Sequence, residues 1–169
     1  TYKGLSTLIE AVRSIVEVKN DLVLNVVGDG DMREEYENYV QSIGLENNIK
    51  FWGKLDGDRL VEKYQKNHIF VSASTNESFS MVILEAMASS LPIIAFDVGS
   101  TSQMIENGKN GFLLSCSSAQ QLKTKILELI NSKELANEFG VKSRLKVEQN
   151  FTWDTKFDEY SGVIKQYIK

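Results

Sequence analysis

The sequence predicts a doubly wound α/β domain, and three observations predict it. Short apolar or β-branched runs recur at intervals, amphipathic stretches of helical spacing separate them, and no internal repeat, low-complexity tract or linker breaks the alternation. Parallel strands need crossover connections of about a dozen residues, so this alternation implies a parallel sheet covered by helices on both faces. A chain of 169 residues fits one domain of ordinary size with a real core.

Each element follows from its pattern. Leu5, Leu8, Ile9, Val12, Ile15 and Val16 recur three and four apart, which predicts a helix over Lys3 to Val18 with one buried stripe. Leu22 to Val27 is short, β-branched and bounded by Asp21 and Gly28, the signature of a buried strand. A helix over Asp31 to Ile43 follows, with Asp31 a candidate N-cap, then a strand at Ile49 to Trp52 and a helix at Asp58 to Lys66. Next come a strand at Ile69 to Ser72, a helix at Ser80 to Ser90, a strand at Ile93 to Phe96, a short helix at Ser102 to Asn107 and a strand at Phe112 to Ser115. Ala119 to Ile130, Lys133 to Val147 and Asp154 to Ile168 form a helical tail. In such sheets ligands lie beyond the carboxyl ends of the strands. Gly28, Trp52, Ser74 and Asp97 each follow a predicted strand, so their loops are expected to face one crevice.

Composition excludes several function classes. Hydrophobic residues make up 42% and charged residues 25%, as in soluble globular proteins, and no apolar run approaches the ~18 residues of a membrane span. A formal charge of -4 argues against a general nucleic-acid or anionic-membrane surface. The lone cysteine, Cys116, has no partner for an internal disulfide and suits a reducing, cytoplasmic compartment; it reads as a half-buried packing residue. The triplets Asn76-Glu77-Ser78 and Asn150-Phe151-Thr152 would matter as glycosylation acceptors only in a secreted protein. Because the chain opens at Thr1 and enters an amphipathic pattern at once, it reads as part of a longer protein.

The candidate site centres on Glu85. It stands in Met81-Val82-Ile83-Leu84-Glu85-Ala86-Met87-Ala88, a stretch apolar on nearly every side, and such a helix is normally buried. A buried ionised acid costs several kcal/mol, as an order of magnitude, unless donors surround it. Few basic or amide side chains lie in the predicted core to supply them. Glu77 stands eight residues earlier, in the hydroxyl-rich loop Ser74-Thr75-Asn76-Glu77-Ser78-Phe79-Ser80. Paired carboxylates suit glycoside hydrolysis, and they equally suit acceptance of vicinal hydroxyls from a sugar or ribose. The structural alternative is a solvated Glu77 and a Glu85 satisfied internally.

Other features have two readings each. Ser78-Phe79-Ser80 precede a helix whose free amides and positive dipole end could receive a phosphate, or the serines simply cap it. Gly28-Asp29-Gly30-Asp31 is either a close-approach loop or a tight turn; Arg33 and the acids break the dinucleotide fingerprint. Trp52 stacks on a ring or fills the strand edge, Trp153 reads as an anchor, and His68 lacks partners at metal-ligand spacing.

Several of these segments carry a family resemblance. Lys3-Gly4-Leu5 before Leu8-Ile9-Glu10-Ala11, Gly28-Asp29-Gly30, Glu77-Ser78-Phe79-Ser80 through Leu84-Glu85-Ala86-Met87-Ala88, Pro92-Ile93-Ile94-Ala95, Asp97-Val98-Gly99 and Asn107-Gly108-Lys109-Asn110-Gly111-Phe112-Leu113 resemble the carboxyl-terminal half of a retaining GT-B glycosyltransferase of group 1, or family 4. The resemblance implies a Rossmann-like nucleotide-sugar-binding domain over residues 1–150, and a helix over 151–169 packing toward an absent amino-terminal domain. It implies that Glu85 holds ribose hydroxyls, Glu77 contacts the donor sugar, and Lys3 neutralises the diphosphate. It further implies that amides around Ser78, Phe79, Ser80 and Met81 receive sugar and diphosphate, that Gly28 and Gly30 border the donor, and that the base lies near Trp52 to Lys54. Leaving-group stabilisation would then be electrostatic.

Sugar transfer with retention, of hexosyl type, to a saccharide or lipid-linked acceptor is implied, with no metal or cofactor required and a fragment inactive by itself. So is a cytoplasmic setting, with peripheral association of the full-length enzyme at the inner membrane face and a role in polysaccharide synthesis. Two departures bear on donor identity: Ser78 and Ser80 stand where the family often has glycines, and Gly99-Ser100-Thr101-Ser102-Gln103 replaces its Gly-Gly-x-Pro-Glu segment. A non-catalytic nucleotide- or protein-binding module of the same fold is the alternative, and a hydrolase using both acids a third.

Overall fold

Seven helices and five strands alternate through the described part of the chain in the predicted order. In the computed structural model, residues 3–115, 117–157 and 160–161 are described, so Cys116 and the end of the last expected helix lie outside them. The elements are α1 Leu5–Val16, β1 Leu24–Val26, α2 Arg33–Ser42, β2 Ile49–Phe51, α3 Gly57–Gln65, β3 Phe70–Ser72, α4 Met81–Ala88, β4 Ile93–Phe96, α5 Thr101–Met104, β5 Gly111–Leu114, α6 Ala119–Asn131 and α7 Lys133–Asn150. Residues 153–157 and 160–161 are helical as well.

The strands are parallel, as crossover connections demand. β4 lies between β3 and β5, with Phe70 opposite Ile93 and Ile93 opposite Gly111. All four β4 residues are buried, which explains the unbroken apolar run: a central parallel strand is covered twice. Ile94 and Phe96 join the core formed with α1 and α6, through Ile9, Val12, Leu122 and Ile126. Ile93 and Ala95 face the other way, onto Ile83, Ala86 and Met87 of α4. The alternation of one strand thus divides the molecule into two apolar layers, each fully buried aliphatic side chain contributing about 1.5–3 kcal/mol.

The expected single sheet is two hydrogen-bonded ladders among the described residues, β1–β2 and β3–β4–β5. Strands β1, β2 and β3 are each three residues long, and among the described residues no ladder pairs β1 or β2 with β3, β4 or β5. The two ladders share one core, since Leu24, Val26 and Phe51 pack on the same cluster as Val71 and Ile94. A side-chain bond also joins them, Asn25 Nδ2 donating to Asn67 Oδ1 at 2.9 Å.

Two local expectations are corrected. Asp31 is not the cap of α2; Met32 occupies that position without a capping side chain. The Arg33 amide donates to Gly30 O at 3.0 Å, so a turn delays the helix, and Glu34 and Glu35 supply the acidic first turn favoured by the dipole. Trp153 does not act as an anchor among the described residues: it is 92% exposed, and Phe157 and Tyr160 further along are exposed as well.

Helix α7 closes one end of the fold. Ser143 Oγ, fully buried, donates to Asn110 O at 2.9 Å, and Lys146 reaches Glu106 Oε1 at 3.1 Å. Lys109 takes the other oxygen of Glu106 at 2.8 Å. Hydrogen bonds from Lys109 and then Lys146 hold the Glu106 carboxyl down from its ordinary 4.5 to about 2. A depressed carboxyl stabilises the fold fully above its unfolded value and ceases to as pH falls through the folded one. Glu106→Gln is therefore expected to lower stability at neutral pH, the gap to the parent closing as pH falls from 4.5 toward about 2; denaturant midpoints across that range measure it.

Candidate functional site: the loops beyond the strand ends

The carboxyl ends of the strands carry the predicted loops, and two close approaches hold those of the β3–β4 side together. Gly4, at the N-cap of α1, has φ 65°, and a Cβ there would sit 1.9 Å from Ala73 O. Only glycine permits that contact, which brings the start of α1 against the end of β3. Lys3 is thereby delivered to Glu77, and Nζ pairs with Oε2 at 3.1 Å.

From the opposite side, Gly99 at φ 56° meets the same loop; a Cβ there would lie 1.6 Å from Glu77 O. The turn holding Gly99 is fastened by Thr101, whose Oγ1 accepts from the Val98 amide at 2.9 Å and donates to Phe96 O at 3.1 Å. Glu77 is consequently not the solvated acid of the structural alternative. Its side chain is 16% exposed and ion-paired.

Helix α4 begins in this loop. Ser80 stands at the N-cap, 2% exposed, yet its side chain makes no capping bond. Ser80 Oγ is buried without a hydrogen-bond partner, as is Ser100 Oγ at the start of α5. Buried polar atoms are rarely left so, because an unmade bond costs the desolvation of the group. The first-turn amides of α4 have no intrahelical acceptor, as at every helix start. Ser78, Phe79, Met81 and Val82 are exposed around that turn, so α4 is not buried on every side as expected. From Ile83 onward it packs into the core through Ile83, Leu84, Ala86 and Met87, while its first two residues are exposed.

Glu85 is half-buried one turn into α4. Its Oε2 accepts from Tyr64 Oη at 2.9 Å. Sequence reasoning missed that donor while looking for amines and amides. The available signal was Tyr64 itself, an aromatic hydroxyl four residues from Leu60 on the apolar side of a predicted helix, where a partner for the hydroxyl is required. Burial, and then the Glu85 carboxylate, hold the Tyr64 phenol above its ordinary value, so it remains a donor. Among the described residues no other donor reaches the Glu85 carboxylate.

The β1–β2 side of the edge is built separately. Gly28 N donates to Gly53 O at 2.8 Å, joining the two loops, and a Cβ on Gly28 or Gly30 would meet open space. Asp29 accepts from Gly30 N at 2.9 Å and pairs with Arg33 at 3.6 Å. Trp52 is 46% exposed rather than packed into the strand edge. Its Nε1 donates to Asn25 Oδ1 at 2.7 Å, and Lys63 Nζ lies 3.1 Å from the ring centroid. A cavity of about 230 Å³ opens between Trp52, Leu55, Arg59 and Lys63. Lys54 and His68 are exposed. Among the described residues, no group of three or more His, Cys, Asp or Glu could hold a metal ion, and no helix is long and apolar enough to cross a membrane.

The sequence profile of the family described as glycosyl transferases group 1 matches residues 1–146. The chain belongs to the group 1 glycosyl transferases. An uncharacterized glycosyltransferase of Methanocaldococcus jannaschii is 34% identical over 152 residues, covering 90% of this chain and 41% of that protein. A solved group 1 domain from Francisella tularensis, the C-terminal domain of its parent protein, superimposes with a TM-score of 0.81 at 30% identity, covering 90% of this chain and 81% of that one. A TarM variant of S. aureus, solved in complex with Fondaparinux, alpha-GlcNAc-glycerol and UDP, gives a TM-score of 0.87 at 27% identity over 96% of this chain and 33% of its own. The chain thus spans less than half the length of the archaeal relative and of TarM. The two solved structures share the doubly wound, Rossmann-like fold derived above.

Proposed function

We propose that this chain is the donor-binding domain of a retaining glycosyltransferase that moves a hexosyl-type sugar from a nucleoside diphosphate to a saccharide or lipid-linked acceptor. One observation carries the reading. Glu85 is a half-buried carboxylate on an otherwise apolar helix with a single donor among the described residues, and a carboxylate offers about four acceptor sites. A vicinal diol such as that of ribose fits what is left.

The remaining parts suit the rest of a donor. The α4 amides, the unpartnered Ser80 hydroxyl and Lys3 stand where a diphosphate would sit above a helix N-terminus, offsetting its charge without a metal. Glu77, held by Lys3 and backed by Gly99, faces the donor sugar. Gly28 and Gly30 leave room at the neighbouring loop, and the base lies toward Trp52 and Lys54. Residues 1–150 form the donor domain, and 151–169 lead toward the amino-terminal half that supplies the acceptor site. The chain alone binds donor without transferring it. The intact enzyme works in the cytoplasm or at the inner membrane face, in polysaccharide synthesis.

Calorimetry with UDP, GDP and ADP tests the reading, UDP first because the TarM structure holds it. Glu85→Gln is expected to weaken binding by about 1.5–3 kcal/mol, roughly tenfold to a hundredfold. Thermal stability should change by less than about 1 kcal/mol, since glutamine still accepts from Tyr64. No heat from any nucleotide at millimolar concentration argues against the reading. The exposed Trp153, Phe157 and Tyr160 favour a second possibility, a non-catalytic module that docks a protein partner. That module predicts unchanged nucleotide binding in Glu85→Gln.

A further inference from the structure

Tyr64 is placed to do more than satisfy its own hydroxyl. It sits on α3 and reaches Glu85 on α4, bridging two helices separated by a strand. Its ring is set against Phe70 of β3, centroids 6.0 Å apart and planes tilted by 50°. A glutamate side chain turns about three bonds, whereas a tyrosine ring packed this way has little freedom. The rigid partner therefore fixes the flexible one.

We infer that Tyr64 is a positioning residue for ribose recognition: its hydroxyl holds one oxygen of Glu85 and so presents the other acceptor sites to a vicinal diol, setting the preference for ribonucleotides over deoxyribonucleotides. The inference rests on the reading of Glu85 as the ribose acceptor. Affinity gained this way arises because the carboxylate is ordered before the ligand arrives, without contact between Tyr64 and the ligand. Because its burial and its carboxylate partner keep the phenol protonated, the donor role holds throughout the working pH range.

The readout is a ratio that a merely structural bond leaves unmoved. Dissociation constants are measured by calorimetry for whichever of UDP, GDP and ADP binds tightest and for its 2′-deoxy analogue, on the chain and on Tyr64→Phe, Phe70→Leu and Glu85→Gln. The parent should favour the ribonucleotide. Tyr64→Phe should lose most of that preference, weakening the ribonucleotide by about tenfold while the deoxy analogue changes little. Phe70→Leu loosens the ring but keeps the hydroxyl, and should give a preference between those of the parent and of Tyr64→Phe.

Preference retained in full in Tyr64→Phe, or in Phe70→Leu, overturns the positioning role and leaves the ribose reading of Glu85 standing. Preference retained in Glu85→Gln, or absent from the parent, overturns that underlying reading and the inference with it. Should Tyr64→Phe not fold, Phe70→Leu still decides by the same ratio.

Discussion

Gly99→Ala is expected to destabilise the chain by about 2–4 kcal/mol and to abolish nucleotide binding with it. The added Cβ would meet Glu77 O at 1.6 Å, and backbone at that distance cannot swing aside as a side-chain tip can. The φ of 56° adds strain for any residue with a Cβ. Relief requires one of two loops to move. The Gly99 turn is tied by Thr101 to Phe96 and Val98, so the Glu77 loop is the one that yields. Lys3 and the start of α4 would be displaced together. Urea denaturation gives the first number and calorimetry the second; a loss under about 1 kcal/mol with binding intact would show that Glu77 is not supported from below.

Phe139→Ala is expected to cost about 3–5 kcal/mol and to leave binding by the folded fraction unchanged. Phe139 is 2% exposed and stands edge-on to Phe112, ring centroids 5.2 Å apart. It is part of the cluster that α1, α6 and the sheet share, so truncation leaves a cavity that no neighbouring loop can fill. The buried residues of α4, which carries Glu85, belong to the other apolar layer. The denaturant midpoint should fall with an unchanged slope, and nucleotide affinity below the transition should match the parent. A weakened affinity would mean that the core and the strand-edge loops are coupled more tightly than their contacts indicate.

Much of the fold was legible because burial imposes periodicity. Ile93 to Phe96 had to be a central strand, being apolar at every position, and Leu8, Ile9, Val12 and Ile15 had to be one face of a helix. Strand ends were less legible: Leu22 and Val27 carry the same residue types as β1 but lie beyond its ladder. The interruption between the two ladders depends on main-chain geometry that no side chain announces. Asp31 has the chemistry of a cap, yet the turn closed by Gly30 decides where α2 starts. Trp153 has the bulk of an anchor, and among the described residues nothing covers it.

The candidate site was legible where it depends on one residue in an incongruous setting. Glu85 is conspicuous among Met81, Val82, Ile83 and Leu84, and Gly4 and Gly99 were visible as part of the family resemblance. What could not be read were partners distant in the chain. The Glu85 hydroxyl donor lies on a different helix, the counter-ion of Glu77 lies 74 positions earlier in the chain, and the bond from Trp52 to Asn25 crosses between strands. The Glu77 pair in particular depends on how the loops are brought together, which the glycines at 4 and 99 decide sterically.

Of the chain's two tryptophans, Trp153 is almost wholly hydrated, while Trp52 has its indole nitrogen bonded to Asn25 and an ammonium over its ring. The two fluorophores therefore report on different surroundings. Trp153 is expected to supply a constant red-shifted background, and Trp52, at the end of β2 among the strand-edge loops, an emission that would shift if the proposed donor sits beside it. The domain thus carries its own optical probe, without a label.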